Sequence, residues 1–394
     1  MNPERFKNSS TGRLAKVGQG EAPYWAFVPH PLPPALTFDT WLVLALSEAD
    51  RALGELAGLG RTIPNPQLLV RPFVHREAVL SSRIEGAQAD ITDLYAYEAR
   101  QVPLPGFASP RPESDVREVL DYVLAMEYGL DRIKTLSVSL RLIRELHQRL
   151  MEGVRGEQAA PGEFRHVQNW IGRPGCTLNE AEFVPPPVPE MHEALDAFEK
   201  YLHAGNEHPP LLRLAFIHYQ FETIHPFVDG NGRIGRLLLS LLMADWNLLP
   251  LPLLYLSAYF EQHRQEYYDL LLAVSERGAW SEWTAFFLQG VAKQAQDAVL
   301  RAKRLQDLQV EWRHRLTQAR ASALLLRLVD SLFEWPLLTI PQAQRILGVT
   351  YRSAQLNMDK LVNAGILRQL EEANTLGKTF VAEEVLRAIE GRET

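Results

Sequence analysis

The chain has 394 residues, 46% of them hydrophobic and 23% charged, with a formal net charge of −7 and a pI near 5.9. This is the composition of an ordinary globular protein with material for two or three domains, and its acidic balance excludes a protein that coats nucleic acid or anionic membrane through its overall field. A single cysteine, Cys176, excludes an internal disulfide and a Cys-based zinc site and suits a reducing compartment.

Residues 1–37 are rich in Pro, Gly and polar residues and hold no continuous apolar stretch of the kind a secretory signal needs. Pro31, Pro33 and Pro34 predict an extended arm that packs Tyr24, Trp25 and Phe27 against the body. Apolar residues at three-and-four spacing then predict a helix over 40–56 and one helix or a pair over 71–100, an N-terminal helical region of residues 38–105. The stretch VPLPGFASPRP, 102–112, breaks the pattern. Two more helices are expected between 112 and 150, the second capped by Ser137 or Ser139.

Over 164–189 the texture turns to β: a strand at 165–171, turn chemistry at 172–175, and Phe183-Val184 before three prolines predict a short hairpin on a mainly α body. Helices resume over 188–203, 210–224, 232–246, 257–277 and 280–308, with a charged helical stretch to about 320, closing a core of residues 106–320. The longest apolar run, 237–255, contains Asp245 and Asn247 and is cut by Pro250 and Pro252, so it reads as a buried helix with its exit loop rather than a membrane span. The chain reads as cytoplasmic.

Residues 321–394 have their own grammar: three helical stretches, then strand, turn and strand around Thr375, Leu376, Gly377 and Lys378. A helix from Pro341, a turn at Gly348 and a second helix over 351–363 resemble a helix-turn-helix with Ala343, Ile346, Leu347, Val349, Leu361 and Ile366 as its core, and 370–381 would be the wing of a winged helix-turn-helix domain. If it reads DNA, Tyr351, Arg352, Ser353, Gln355 and Asn357 would face the major groove and Lys378 a phosphate. From Arg320 onward, however, nine Lys or Arg face nine Asp or Glu. Without a positive field, a protein-contact or dimerisation module is at least as good a reading.

The chemistry concentrates in HPFVDGNGRIGR, residues 225–236. Pro226 disfavours helix at His225, which ends the preceding helix and leaves an imidazole at the mouth of a loop, where a base belongs. Gly230, Asn231 and Gly232 tolerate positive φ, so successive amides can form an anion nest before a helix N-terminus. Arg233 and Arg236 share one face of that helix's first turn, a place unfavourable to cations unless an anion is bound. Asp229 supplies a hard oxygen suited to Mg²⁺ shared with phosphates.

These residues resemble the signature of the Fic (Fido) family, H-x-F-x-D/E-G-N-G-R-x-x-R, matched at His225, Phe227, Asp229, Gly230, Asn231, Gly232, Arg233 and Arg236. The resemblance implies a Fic helical core with a hairpin flap and an AMP transfer from ATP to a Ser, Thr or Tyr hydroxyl of a target protein, with this chain itself an allowed target. It implies His225 as general base, Asp229 as Mg²⁺ ligand, and the stretch Gly230, Asn231, Gly232, Arg233, Ile234, Gly235 and Arg236 as the ATP phosphate site. Residues 164–187 resemble the flap over the target peptide, with Phe183 and Val184 beside the nucleotide. Tyr267 and Tyr268 resemble the paired tyrosines bordering adenine.

Upstream, Ser81-Ser82-Arg83-Ile84-Glu85-Gly86 resembles the family's inhibitory motif, [S/T]-x-x-x-E-[G/N]. On a helix Ser81 and Glu85 share a face, and a Glu85 carboxylate paired with Arg236 would take the arginine meant for the γ-phosphate and repel that phosphate. The resemblance also allows removal of AMP by the same glutamate, a homodimer that holds the brake, or transfer of another nucleotide or a phosphocholine. A DNA-binding regulator with a nucleotide-sensing core is the competing reading from a different class.

Overall fold

Helices dominate the computed structural model, which describes residues 1–18, 23–63, 65–100, 114–152, 160–205, 208–370 and 378–391. The break at 102–112 and the turn at Thr375, Leu376 and Gly377 lie outside the described residues.

Helix α1 (Thr40–Thr62) starts where Asp39 accepts the Leu42 N–H, and it packs along the longest helix, α11 (Trp280–Gln318). Between them in sequence come α2 (Gln67–Ile84), α3 (Ile91–Arg100), α4 (Ser114–Arg132), α5 (Leu140–Leu150) with Ser139 as its cap, and α6 (Val188–Leu202). The centre is α7 (Pro210–Ile224), whose side chains are buried almost all round, as a helix enclosed by others requires. Helix α8 (Asn231–Asp245) packs on it, and Trp283 of α11, fully buried, donates its indole N–H to the Ala215 carbonyl at 2.9 Å. The single helix expected over 257–277 is two, α9 (Ser257–Gln262) and α10 (Arg264–Arg277), interrupted where His263 leaves helical dihedrals.

The N-terminal arm differs from the extended segment predicted for it. After a short 3₁₀ turn, β1 (Gly12–Val17) pairs antiparallel with β2 (Tyr24–Pro29), from Gly12 opposite Pro29 to Val17 opposite Tyr24. Phe27 is nevertheless buried as expected, its ring 5.6 Å from Phe6 and 5.8 Å from Phe183.

The hairpin expected over 164–189 is the converse case, for its regular pairing is one bridge, Ile171 to Phe183. Its polar groups are spent elsewhere. The Arg165 guanidinium donates to the carbonyls of His225, Val167 and Pro186, and Asn169 donates to those of His225 and Phe227. The segment is therefore held by the loop after α7 rather than by a ladder of its own.

After residue 320 come α12 (Ala323–Glu334), β3 (Leu337–Thr339), α13 (Ile340–Leu347), α14 (Tyr351–Asn363), β4 (Arg368–Gln369), β5 (Thr379–Val381) and α15 (Glu383–Glu390). The strands form an antiparallel sheet in the order β3-β5-β4, with β3 and α15 unanticipated by the sequence. This unit leans on α2: α12 packs against it, and the Arg71 guanidinium lies 3.7 Å from the centre of the Trp335 ring. Asn357 is buried and donates to the Ser353 carbonyl of its own helix, so it cannot present its amide to a base edge; Arg352 and Lys378 are exposed and Gln355 is half-buried. Among the described residues no helix is long and apolar enough to cross a membrane.

Candidate active site

The site is built where α7 ends and α8 begins. His225 takes left-handed dihedrals, φ 49° and ψ 60°, and its N–H still bonds back to Phe221, so the helix closes on the residue before Pro226. Its Nδ1 lies 3.1 Å from the Glu222 carbonyl oxygen, which fixes the proton on Nδ1 and leaves Nε2 with its lone pair. Burial pushes this imidazole down to about 4, so it is neutral at physiological pH.

The loop that follows is braced by side chains. Asn231 accepts the Phe227 N–H and donates to the Phe227 carbonyl, both at 2.9 Å. Phe227 is buried and stacks on His147, ring centres 3.7 Å apart. His147 accepts the Gly162 N–H at Nδ1 and donates from Nε2 to the Asp229 carbonyl, and burial pushes it, too, down to about 4. Asn231 therefore shapes the loop with its side chain and has only its backbone N–H to offer an anion.

Of the three residues that tolerate positive φ, Gly230 takes it, φ 76°, while Asn231 and Gly232 are already helical. The first bond of α8 runs from the Ile234 N–H to the Gly230 carbonyl and no side chain caps the helix. The N–H groups of Asn231, Gly232 and Arg233 are thus those a helix start leaves open, at the positive end of its dipole. Asp229 stands at this opening with its side chain 65% exposed, Oδ1 taking the Gly230 N–H at 2.6 Å. No group of three or more His, Cys, Asp or Glu is disposed to hold a metal among the described residues, so a cation here would depend on this single carboxylate and on oxygens brought by a ligand.

Both arginines of the segment are buried. Arg236 donates from Nε to Ser81 Oγ at 2.9 Å, and from Nη2 to the Ser81 carbonyl at 3.0 Å and Glu85 Oε1 at 2.6 Å. Ser81 and Glu85 come from the last turn and C-cap of α2, on the face that meets α8. A Cβ at Gly232 would collide with Glu85 Oε1, so the glycine is what lets that carboxylate lie on the start of α8. Burial is the largest influence and pushes the Glu85 carboxyl up, but the Arg236 charge, the Arg236 hydrogen bond and the Arg233 charge together outweigh it and hold it below the ordinary range. Arg233 pairs with Glu118 of α4 at 2.6 Å, a partner the sequence did not announce; burial pushes the Glu118 carboxyl up.

A cavity of about 680 Å³ opens onto these groups, lined among others by Glu85, Phe183, His225, Arg236, Tyr267 and Tyr268. Tyr267 is buried and its hydroxyl bonds His218 Nε2 at 2.8 Å, while Tyr268 is 39% exposed. Val184 is not on the cavity wall: it is buried under the N-terminal hairpin, its carbonyl accepting the Phe27 N–H. Ile234 is likewise buried in the core. His147, Arg165 and Glu118 sit in helical or β-like stretches with no motif around them, and Glu222 reads in the sequence as one more polar position on α7.

Two family models match the chain: Fic/DOC family N-terminal over residues 43–131 and Fic/DOC family over residues 137–243. The protein adenylyltransferase Fic of Drosophila grimshawi is 32% identical over 162 residues, 40% of this chain and 30% of that protein. That of Drosophila persimilis is 31% identical over 163 residues, 40% of this chain and 28% of that protein. The chain thus matches less than a third of the length of these relatives. A Fic family protein from Desulfovibrio desulfuricans G20 superposes with a TM-score of 0.56 at 20% identity, covering 89% of this chain and 98% of that one. A Fic domain containing signaling protein from Bacteroides thetaiotaomicron VPI-5482 gives 0.50 at 17%, covering 65% and 95%. Likenesses at such identity speak to the fold alone.

Proposed function

Since the chain carries the N-terminal and core domains of the Fic/DOC family, we propose that it is a self-restrained protein adenylyltransferase. The observation that carries the reading is a neutral His225 whose Nε2 has no hydrogen-bond partner among the described residues, facing a cavity that also meets the uncapped start of α8 and the buried Arg236.

In this reading ATP lays its phosphates on the N–H groups of Asn231, Gly232 and Arg233. His225 Nε2 takes the proton of a target hydroxyl as its oxygen bonds to the α-phosphorus; the bond to the β-phosphate oxygen breaks and pyrophosphate leaves. Mg²⁺ bound to Asp229 and the phosphates would neutralise charge on the departing pyrophosphate. The target segment docks beside Ile171 and Phe183. Glu85 is the brake: while it holds Arg236, the γ-phosphate has no cation and meets a carboxylate at the helix start, so the α-phosphate is poorly aimed.

The C-terminal unit we read as a winged helix-turn-helix, because α13 and α14 join through Gly348 at φ 67° and the three-stranded sheet follows. Its even charge and the exposed Tyr351 and Leu356 on α14 favour protein contact over DNA. Salt-sensitive retention of duplex DNA by the isolated protein would reverse that preference.

The transferase reading is tested with ATP labelled at the α-phosphate, supplied with Mg²⁺ to wild type, Glu85→Gly, and Glu85→Gly with His225→Ala, each alone and with cell lysate. Label should reach protein strongly with Glu85→Gly alone. Failure of all three to transfer label although ATP binds would overturn it.

A further inference from the structure

Glu222 lies one turn before His225 on α7 and on the wall of the same cavity, yet the transfer step above gives its side chain nothing to do. Its Oε1 is buried with no hydrogen-bond partner among the described residues. A Cβ at Gly235 would collide with that oxygen, so a glycine makes the room for it as Gly232 does for Glu85. Burial pushes the carboxyl up to about 8, with Arg236 opposing and Glu85 assisting. At neutral pH it is a carboxylic acid, a donor and an acceptor side by side.

A buried polar atom left open costs about 1–3 kcal/mol unless something completes it. The lining of the cavity argues for the nucleoside end of a ligand. The neighbouring wall is aromatic: Tyr267 and Tyr268 line the same cavity, the Tyr267 hydroxyl is committed to His218, and Gln265 is paired with Asp269. Rings can stack on a base but cannot read its edge.

We propose that Glu222 is a nucleotide-binding residue, whose carboxyl accepts the 6-amino group of the adenine and donates to the neighbouring ring nitrogen. The assignment rests on the adenylyltransferase reading. It is tested by binding, without transfer, in the Glu85→Gly background: ATP, the analogue lacking the 6-amino group, and 2′-deoxyATP are titrated into proteins with Glu222, Glu222→Gln and Glu222→Ala.

With Glu222, loss of the amino group should weaken binding about tenfold, the equivalent of one hydrogen bond of roughly 1.4 kcal/mol. Glu222→Gln, which keeps a donor and an acceptor, should retain that sensitivity, and Glu222→Ala should bring it within about twofold, closing a cycle that cancels effects common to both ligands. An amino-group effect that is the same with Glu222 in place and after Glu222→Ala overturns the proposal, as does a 2′-hydroxyl effect that vanishes in its place. Absence of any nucleotide binding by the protein that retains Glu222 overturns the transferase reading itself, and this assignment with it.

Discussion

Replacing Glu85 by glutamine and by glycine separates the two things its carboxylate does, engaging Arg236 and placing negative charge at the start of α8. The bond to Arg236 is short, 2.6 Å, and charge-assisted, but the Glu85 side chain is 35% exposed. Such a bond is worth about 1.5–3 kcal/mol, and the exposure places it in the lower half of that range, about 1.5–2 kcal/mol. Glycine removes bond, charge and bulk, so ATP turnover should rise by about 10- to 30-fold. Glutamine keeps the bulk over Gly232 and can still accept from Arg236, but without charge. Losing about 1 kcal/mol of restraint, it should raise turnover about fivefold. Pyrophosphate release at saturating ATP and Mg²⁺, alongside ATP affinity by titration, reads both. A Glu85→Gly rate within twofold of wild type, with ATP still bound, would refute the brake.

Three further outcomes follow from the geometry. Because His225 is held at about 4 and only its neutral form accepts a proton, the rate of the Glu85→Gly protein at saturating ATP should stay flat from pH 7 to pH 5.5 and fall toward pH 4; an acidic limb centred near 6.5 would contradict this. His147→Ala removes two hydrogen bonds and the ring stacked on Phe227, so urea unfolding should show a loss of about 3 kcal/mol together with weaker ATP binding; a loss below about 1 kcal/mol would deny His147 its bracing role. Glu222 has its carboxyl raised to about 8 in the fold. Between the ordinary carboxylate pKa near 4.5 and pH 8 the folded state must take up a proton that the unfolded chain has lost, and stability declines as pH rises. Glu222→Gln should therefore match wild type below pH 4.5 and gain on it progressively up to pH 8, as thermal melts across that range would show.

Much of the site was legible because its signals are local. Pro226 after His225, glycines around Asn231 and Ser81 four residues before Glu85 dictate a helix stop, a helix start and a shared helix face from neighbouring residues alone. The helices were legible for the same reason, since three-and-four spacing is written along the chain, down to the bounds of α7 and α14.

What the sequence could not decide was how distant groups spend their hydrogen bonds. Arg165 and Asn169 look like parts of a strand, but their donors reach carbonyls some 60 residues away and draw the backbone off a β ladder. The N-terminal arm closes into a hairpin once Phe6, Phe27 and Phe183 have one another to bury. Asn231 looks like a phosphate contact and braces Phe227, while His147, Glu118 and Glu222 carry no motif and acquire their roles from packing alone. The sequence by itself determined the mainly helical body, the end of α7 at His225 and the start of α8 after Gly230. Only the tertiary structure decided which carboxylate meets which arginine and which polar groups stay open, because pairing and burial depend on chain segments that sequence spacing does not relate.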